Sequence, residues 1–191
     1  MLQPAQTAPF PRRFTRAEYH RMAEAALFQH ERVELLDGVI VTMSPQNSPH
    51  AGTVHRLLFV LARMLGAAAH IRVQAPIILN DWSEPEPDIA VCQPDPYDYT
   101  REHPQAHQVY LVIEVADASL AYDRTQKARA YAESGIPEYW IVNLPDRKVE
   151  VLTRPHPSVG RYDQEQLVSE GERLSLPSGN TVAVADILPP V

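Results

Sequence analysis

Val109-Tyr110-Leu111-Val112-Ile113-Glu114-Val115 is apolar at nearly every position, on both alternations, until Glu114 interrupts it. Such a run reads as a central strand covered on both faces, which places the chain among sheet proteins with helices packed against them. A carboxylate at that depth needs a cation, a hydrogen-bond donor or a proton to offset its desolvation. Pro87-Asp88-Ile89-Ala90-Val91 repeats the pattern in a shorter strand, with the proline at the tolerated first position. If the two strands are neighbours, Asp88 and Glu114 approach each other, and a magnesium ion that takes one or two carboxylates would relieve the conflict.

A cation follows on the next predicted helix. The chain has 15 arginines and only 2 lysines, and Lys127 is one of the two. A chain that otherwise prefers arginine uses lysine where a compact ammonium matters. Asp123, Lys127 and Tyr131 are spaced i, i+4, i+8 and share one side of a helix predicted over Ser119 to Ser134. Two acids, a divalent ion and a lysine together suggest phosphate chemistry. Taken singly, each residue has a plainer explanation. Either acid can cap a strand end or pair with arginine, and Lys127 can pair with Asp123 in solvent.

Upstream, Thr15 and Glu18 form a capping-box pattern for a helix running to about Phe28. Asp37-Gly38 between apolar runs predicts a hairpin in which Leu36 faces Val39 and Glu34 faces Val41. Glu34 is then a third acid among apolar neighbours. Ser48 as N-cap and Pro49 at the first helical position open a helix carrying Val54, Leu58, Leu61 and Leu65, closed by Gly66, with His55 beside the stripe. A strand is predicted over Ile71 to Leu79, and Gln93 to His107 is a long polar loop. His103 and His107 belong to that loop, and Gln74 reads as a surface residue of its strand. His50 reads as structural, with a positioning role at an active-site edge as the alternative. Glu138 to Leu144 and Arg147 to Thr153 form a second hairpin, and the remainder to Val191 is read as short strands with a turn at Pro177-Ser178-Gly179-Asn180. Residues 1–13 read as a flexible arm and residues 14–191 as one α/β (α+β) domain.

Bulk properties narrow the function classes. At 191 residues and 45% hydrophobic, the chain can bury one substantial core. No apolar run reads as a membrane span, and the N-terminus lacks the apolar segment of a signal peptide. The single cysteine, Cys92, excludes an internal disulfide and reads as a small buried hydrophobe, which makes a reducing cytoplasm the expected compartment. A net charge of −7 argues against non-specific coating of nucleic acid, although a local basic rim can still hold phosphates. With only 7 glycines there is no glycine-rich phosphate loop.

The order and spacing of these residues resemble the PD-(D/E)XK nuclease superfamily. More narrowly, Glu34-Leu35-Leu36-Asp37-Gly38, Glu86-Pro87-Asp88-Ile89-Ala90-Val91, Ile113-Glu114-Val115 and Gly135-Ile136-Pro137-Glu138-Tyr139-Trp140-Ile141-Val142 are similar to the Uma-type bacterial family grouped with restriction endonucleases. The resemblance covers about residues 14–155. It implies a restriction-endonuclease-like core, a central mixed β-sheet flanked by α-helices. It also implies Mg2+ (Mn2+ as substitute) held by Asp88, Glu114 and the Val115 carbonyl, with Glu34 as an additional acid. The lysine that usually stands two residues after the glutamate is replaced here by Ala116, and Lys127 on the following helix is expected to take its place. The expectation is a Mg2+-dependent endonuclease on DNA, with Arg124, Arg129 and Arg56 against the phosphate backbone and a homodimer by analogy. Its rivals are an inactive nuclease-fold module that binds nucleic acid or protein, and a metal-dependent phosphoesterase on another substrate.

Overall fold

The computed structural model describes residues 11–176 and 179–190. The elements run α1 (Arg16–Glu24), β1 (Val33–Leu36), β2 (Val39–Thr42), α2 (Ser48–Leu65), β3 (His70–Val73), β4 (Ile89–Cys92), β5 (Val109–Ala116), α3 (Leu120–Tyr122), a π-helical turn (Asp123–Lys127), α4 (Ala128–Glu133), β6 (Glu138–Asn143), β7 (Lys148–His156), β8 (Arg161–Ser169), β9 (Arg173–Ser175), β10 (Thr181–Ala183) and α5 (Val184–Ile187). Six strands form the central sheet in the order β3-β4-β5-β6-β7-β8. Only β5 and β6 are parallel; the other neighbours are antiparallel. Parallel strands cannot be joined by a tight turn, so the chain must cross over between them, and the α3–α4 segment makes that crossing. This is the mixed, helix-flanked α/β sheet that the sequence leads one to expect.

The apolar run around Glu114 is a central strand, β5, with β4 and β6 on its two sides. Leu111, Ile113 and Val115 pack into a core shared with Val54, Leu57 and Leu61 of α2. Val112 and Ala116 face the opposite core, with Tyr131, Tyr139 and Ile141. Glu114 shares the parity of Val112 and Ala116, so its side chain enters the face covered by the crossing segment. Ser48–Ala68, α2 plus its terminal turn, has a mean hydropathy of 1.2 over a window long enough to cross a bilayer, contrary to the sequence reading. Its apolar stripe is spent on the sheet.

The hairpin β1–β2 forms with the expected register, Leu36 opposite Val39 and Glu34 opposite Val41. Asp37 (φ 51°) and Gly38 (φ 74°) both adopt the left-handed conformation that a two-residue turn of this kind needs. A Cβ on Gly38 would lie 2.6 Å from Arg13 Cβ, so the chain also approaches too closely for any side chain there. Gly38→Ala is expected to cost about 1–3 kcal/mol of stability, measured by urea unfolding.

Several boundaries differ from expectation. The first helix keeps its capping box, with Thr15 N donating to Glu18 Oε2 at 3.0 Å, but ends at Glu24. The second is capped by Asn47, whose Oδ1 accepts from His50 N at 3.0 Å, leaving Ser48 inside the helix. The strand expected over Ile71 to Leu79 stops at Val73, because Gln74 turns left-handed (φ 49°). The helix expected over Ser119 to Ser134 is broken by its π turn. The region after His156 contains one long strand, β8, at the sheet's edge. Of the proposed arm, residues 1–10 lie outside the described residues, and Arg12 pairs with Glu18. Pro177 and Ser178 of the predicted turn also lie outside them, but Leu176 N bonds Asn180 O at 2.8 Å.

Candidate active site

Asp88 and Glu114 come together because β4 and β5 are adjacent. Their register pairs Ile89 with Ile113, and one step further sets Asp88 opposite Glu114. Glu114 Oε2 accepts from Asp88 N at 3.2 Å, and Asp88 Oδ2 accepts from Val115 N at 2.9 Å. Continuing the register puts Pro87 opposite Val115. The N–H and C=O of a strand residue point to the same edge, and Pro87 has no N–H to give the Val115 carbonyl. Proline before Asp88 thus ends the ladder beside the two acids.

Glu34 arrives on the first hairpin. Glu84 N bonds Leu35 O at 2.8 Å, so β1 lies along the segment that leads into Asp88. Glu86 N then bonds Glu34 Oε2 at 3.0 Å. Lys127 closes the arrangement from the crossing segment. Its Nζ lies 2.8 Å from Glu114 Oε1 and 2.9 Å from Glu34 Oε2. The four side chains are almost fully buried, with exposures of 2% for Glu34, 8% for Asp88, 5% for Glu114 and 4% for Lys127. The solvated Lys127–Asp123 pair is not what forms.

Supporting groups surround this core. Tyr131 Oη donates to Glu114 Oε1 at 2.7 Å, and Ser119 Oγ donates to Asp123 Oδ2 at 2.6 Å. Asp88 is held by Gln74 Nε2 at 3.3 Å and by His50 Nε2 at 3.0 Å. The sequence reads Gln74 as a surface residue and His50 as structural, with a positioning role as the alternative; both contact Asp88. Their contacts to Asp88 span distances in sequence that no local spacing reveals. Asp123 and Tyr131 were legible as neighbours of Lys127 by helical spacing. The three arginines expected at the phosphate backbone do not line the cavity. Arg124 forks onto Glu150 at 2.8 and 2.5 Å, and Arg129 pairs with Asp37. Arg56 Nε donates to the Asp186 carbonyl at 3.3 Å. Arg32, which does line the cavity, bonds Glu86 Oε2 at 3.1 Å.

The cavity measures about 360 Å3, and Glu34, Asp88, Glu114, Asp123 and Lys127 all line it. Acids outnumber cations there. Burial pushes Glu114 up to about 8, opposed by Lys127 and reinforced by Asp88, Asp123 and Glu34. Burial would lower Lys127, but Glu114 and Glu34 outweigh it and hold the ammonium well above its ordinary value. Burial also disfavours charge on His50, and the bond to Asp88 overcomes it and raises the imidazole. Asp123 is pushed up to about 6 by burial, against the Ser119 hydroxyl and Lys127. An acid raised in the folded state stabilises most below its unfolded value of 3.8, and that stability is lost as pH climbs to about 6. Asp123→Asn is expected to remove on the order of 1 kcal/mol of this pH dependence, read from urea unfolding across that window.

Among the described residues, no three His, Cys, Asp or Glu side chains gather as an all-side-chain metal cluster. Lys127 occupies the space between Glu34 and Glu114. The available donors are therefore hard oxygens: the Asp88 and Glu114 carboxylates and the Val115 carbonyl. That set suits magnesium, which binds through one or two carboxylates and keeps several waters.

A helix-flanked mixed sheet with facing acids at the end of its central strands, and a lysine beside them, is the arrangement that the resemblance to the nuclease superfamily leads one to expect. The chain belongs to the Uma2 family, described as "Putative restriction endonuclease", whose model matches residues 16–185. It is also similar to a solved structure from Anabaena variabilis ATCC 29413, titled a "putative nuclease belonging to DUF820". That match has a TM-score of 0.67 and 14% identity, covering 91% of this chain and 97% of the other, and it shows a shared fold. A search of curated proteins finds no match.

Proposed function

We propose that this protein is a Mg2+-dependent endonuclease that hydrolyses DNA phosphodiester bonds, with Mn2+ able to substitute. The observation that carries the reading is the convergence of Asp88, Glu114 and Lys127, from two strands and the crossing helix, in one cavity. Family membership supports a nuclease, and the surplus of buried carboxylate over ammonium supports a bound cation. Asp88, Glu114 and the Val115 carbonyl would hold the metal. When bound, it supplies an activated water and charge stabilisation at the scissile phosphate.

The chain's own groups have separable tasks. Val115 N, Gln74 and His50 fix the Asp88 carboxylate in one orientation. Tyr131 and Lys127 do the same for Glu114. Lys127 stays charged, which suits it to offset the negative charge developing on the phosphate and not to remove a proton. Glu34 holds that ammonium from its other side. The test is conversion of supercoiled plasmid to nicked and linear forms with Mg2+ or Mn2+, paired with calorimetric titration of the metal. Cleavage that EDTA abolishes is expected. Absence of both cleavage and metal binding would overturn the proposal.

A further inference from the structure

Hydrolysis needs a group to take a proton from the attacking water, and Lys127, held charged between two carboxylates, is not that group. Among the described residues six acids are buried: Glu34, Glu84, Asp88, Glu114, Asp123 and Glu150. Five of them meet a basic side chain. Lys127 serves Glu34 and Glu114, Arg16 serves Glu84, His50 serves Asp88 and Arg124 serves Glu150. Asp123 meets none, although it is only 4% exposed. A carboxylate buried without a cation costs stability, and such costs concentrate at functional sites.

The two oxygens of Asp123 differ. Oδ2 accepts from Ser119 Oγ at 2.6 Å. Oδ1 has no donor among the described residues, and it is not sealed off as Tyr122 Oη and His50 Nδ1 are, so it opens on the cavity that Asp123 lines. The metal-site acids keep no such oxygen. Gln74 Nε2 and Val115 N donate to the two oxygens of Asp88, and Lys127 Nζ and Asp88 N to the two of Glu114. The backbone at Asp123 is also held, with Tyr139 Oη donating to its carbonyl at 3.2 Å. Asp123 opens the π turn and Lys127 closes it, and turns of this kind recur at functional sites. The titratable groups around Asp123 are Asp88, Glu34 on β1, Glu114 on β5, His50 on α2 and Tyr139 on β6, with Tyr122 and Lys127 beside it in the chain. Burial, Asp88 and Glu34 push it up to about 6, against Ser119 and Lys127. An acid with that value is ionised at neutral pH and still accepts a proton readily.

We infer that Asp123 is the general base of the reaction, a catalytic residue whose free Oδ1 takes the proton of the attacking water. As the water oxygen bonds to phosphorus, the bond from phosphorus to the leaving sugar oxygen breaks, and that oxygen takes a proton from solvent. The Asp123 carboxyl then gives its proton back to solvent, so one water has been added across one phosphodiester bond. Ser119 is a positioning residue, because its hydroxyl holds Oδ2 and thereby turns Oδ1 to the cavity. The inference rests on the nuclease reading for its substrate and assigns the proton that Lys127 leaves in place.

The test is the pH profile of plasmid cleavage at saturating Mg2+ for wild type, Asp123→Asn and Ser119→Ala, with calorimetric titration of Mg2+ into each. The wild-type rate is expected to climb with pH and level off above about 6. Asp123→Asn should lose that limb and at least about a hundredfold in kcat, with KM and circular dichroism unchanged and Mg2+ affinity within about twofold of wild type. In Ser119→Ala the limb should lie at higher pH, with rates below it about two- to tenfold under wild type, because the lost bond had lowered Asp123. Cleavage by Asp123→Asn within about threefold of wild type, or a limb unmoved in Ser119→Ala, would overturn the assignment. So would loss of Mg2+ binding in Asp123→Asn, which would make the residue a metal ligand and not a base. If wild type leaves plasmid intact, the nuclease reading falls and the base with it. If wild type cuts and Asp123→Asn cuts equally, the base falls alone.

Discussion

Lys127→Met is expected to abolish plasmid cleavage and to lower stability by about 3–5 kcal/mol in metal-free buffer. The ammonium is buried between two carboxylates, 2.8 Å from Glu114 and 2.9 Å from Glu34. Methionine fills a similar volume, so the loss is electrostatic and not a cavity effect. It leaves two acids in a low-dielectric interior with no counter-charge, and one or both must take up a proton. Adding Glu34→Gln to Lys127→Met should return part of the stability, because a neutral partner no longer needs the cation, while cleavage stays absent. Chemical denaturation and the plasmid assay on the two variants separate the structural task of Lys127 from its catalytic one. Full activity in Lys127→Met would remove the lysine from the mechanism.

Lys127 also shows which parts of the candidate site are legible in the sequence. Its value came from scarcity and from helical spacing to Asp123 and Tyr131, both of which are local. The same holds for Asp88 and Glu114, each an acid in a strand-like apolar run, and for the Asp37-Gly38 turn, whose backbone demands few alternatives. What spacing cannot carry is the partner of a long side chain. Arg124 and Arg129 are expected against the phosphate backbone, yet each is held by an acid from elsewhere. His50 and Gln74 reach Asp88 from other elements. Cap choice between Asn47 and Ser48 is nearly degenerate, since both residue types cap well and proline is accommodated within the first turn. The π turn has no composition of its own, and β8 is hard to see in the sequence because an edge strand that is mostly exposed carries few of the apolar residues by which strands are found.

Asp88→Asn should separate function from stability in the opposite direction. Cleavage is expected to fall by at least about a thousandfold, since the change removes one of two carboxylates available to a metal while keeping the side chain's shape. Without metal, the variant should be more stable than wild type by roughly 0.5–2 kcal/mol, the usual gain when a strained functional site is relieved. The sign follows from the like charges. Asp88 and Glu114 meet at the end of the sheet, and the pressure of Asp88, Asp123 and Glu34 adds to the burial that holds Glu114 near 8. Removing one charge lets Glu114 ionise more readily against Lys127, and the asparagine carbonyl can still accept from Val115 N. Magnesium should reverse the ranking. Wild type gains stability with metal concentration as mass action requires, about 2.7 kcal/mol at a hundredfold excess over Kd, while Asp88→Asn gains none. Thermal melts of both proteins across a magnesium series measure all of this at once. Parallel curves would show that Asp88 holds no metal, and a metal-free variant less stable than wild type would show that the two acids are not in conflict.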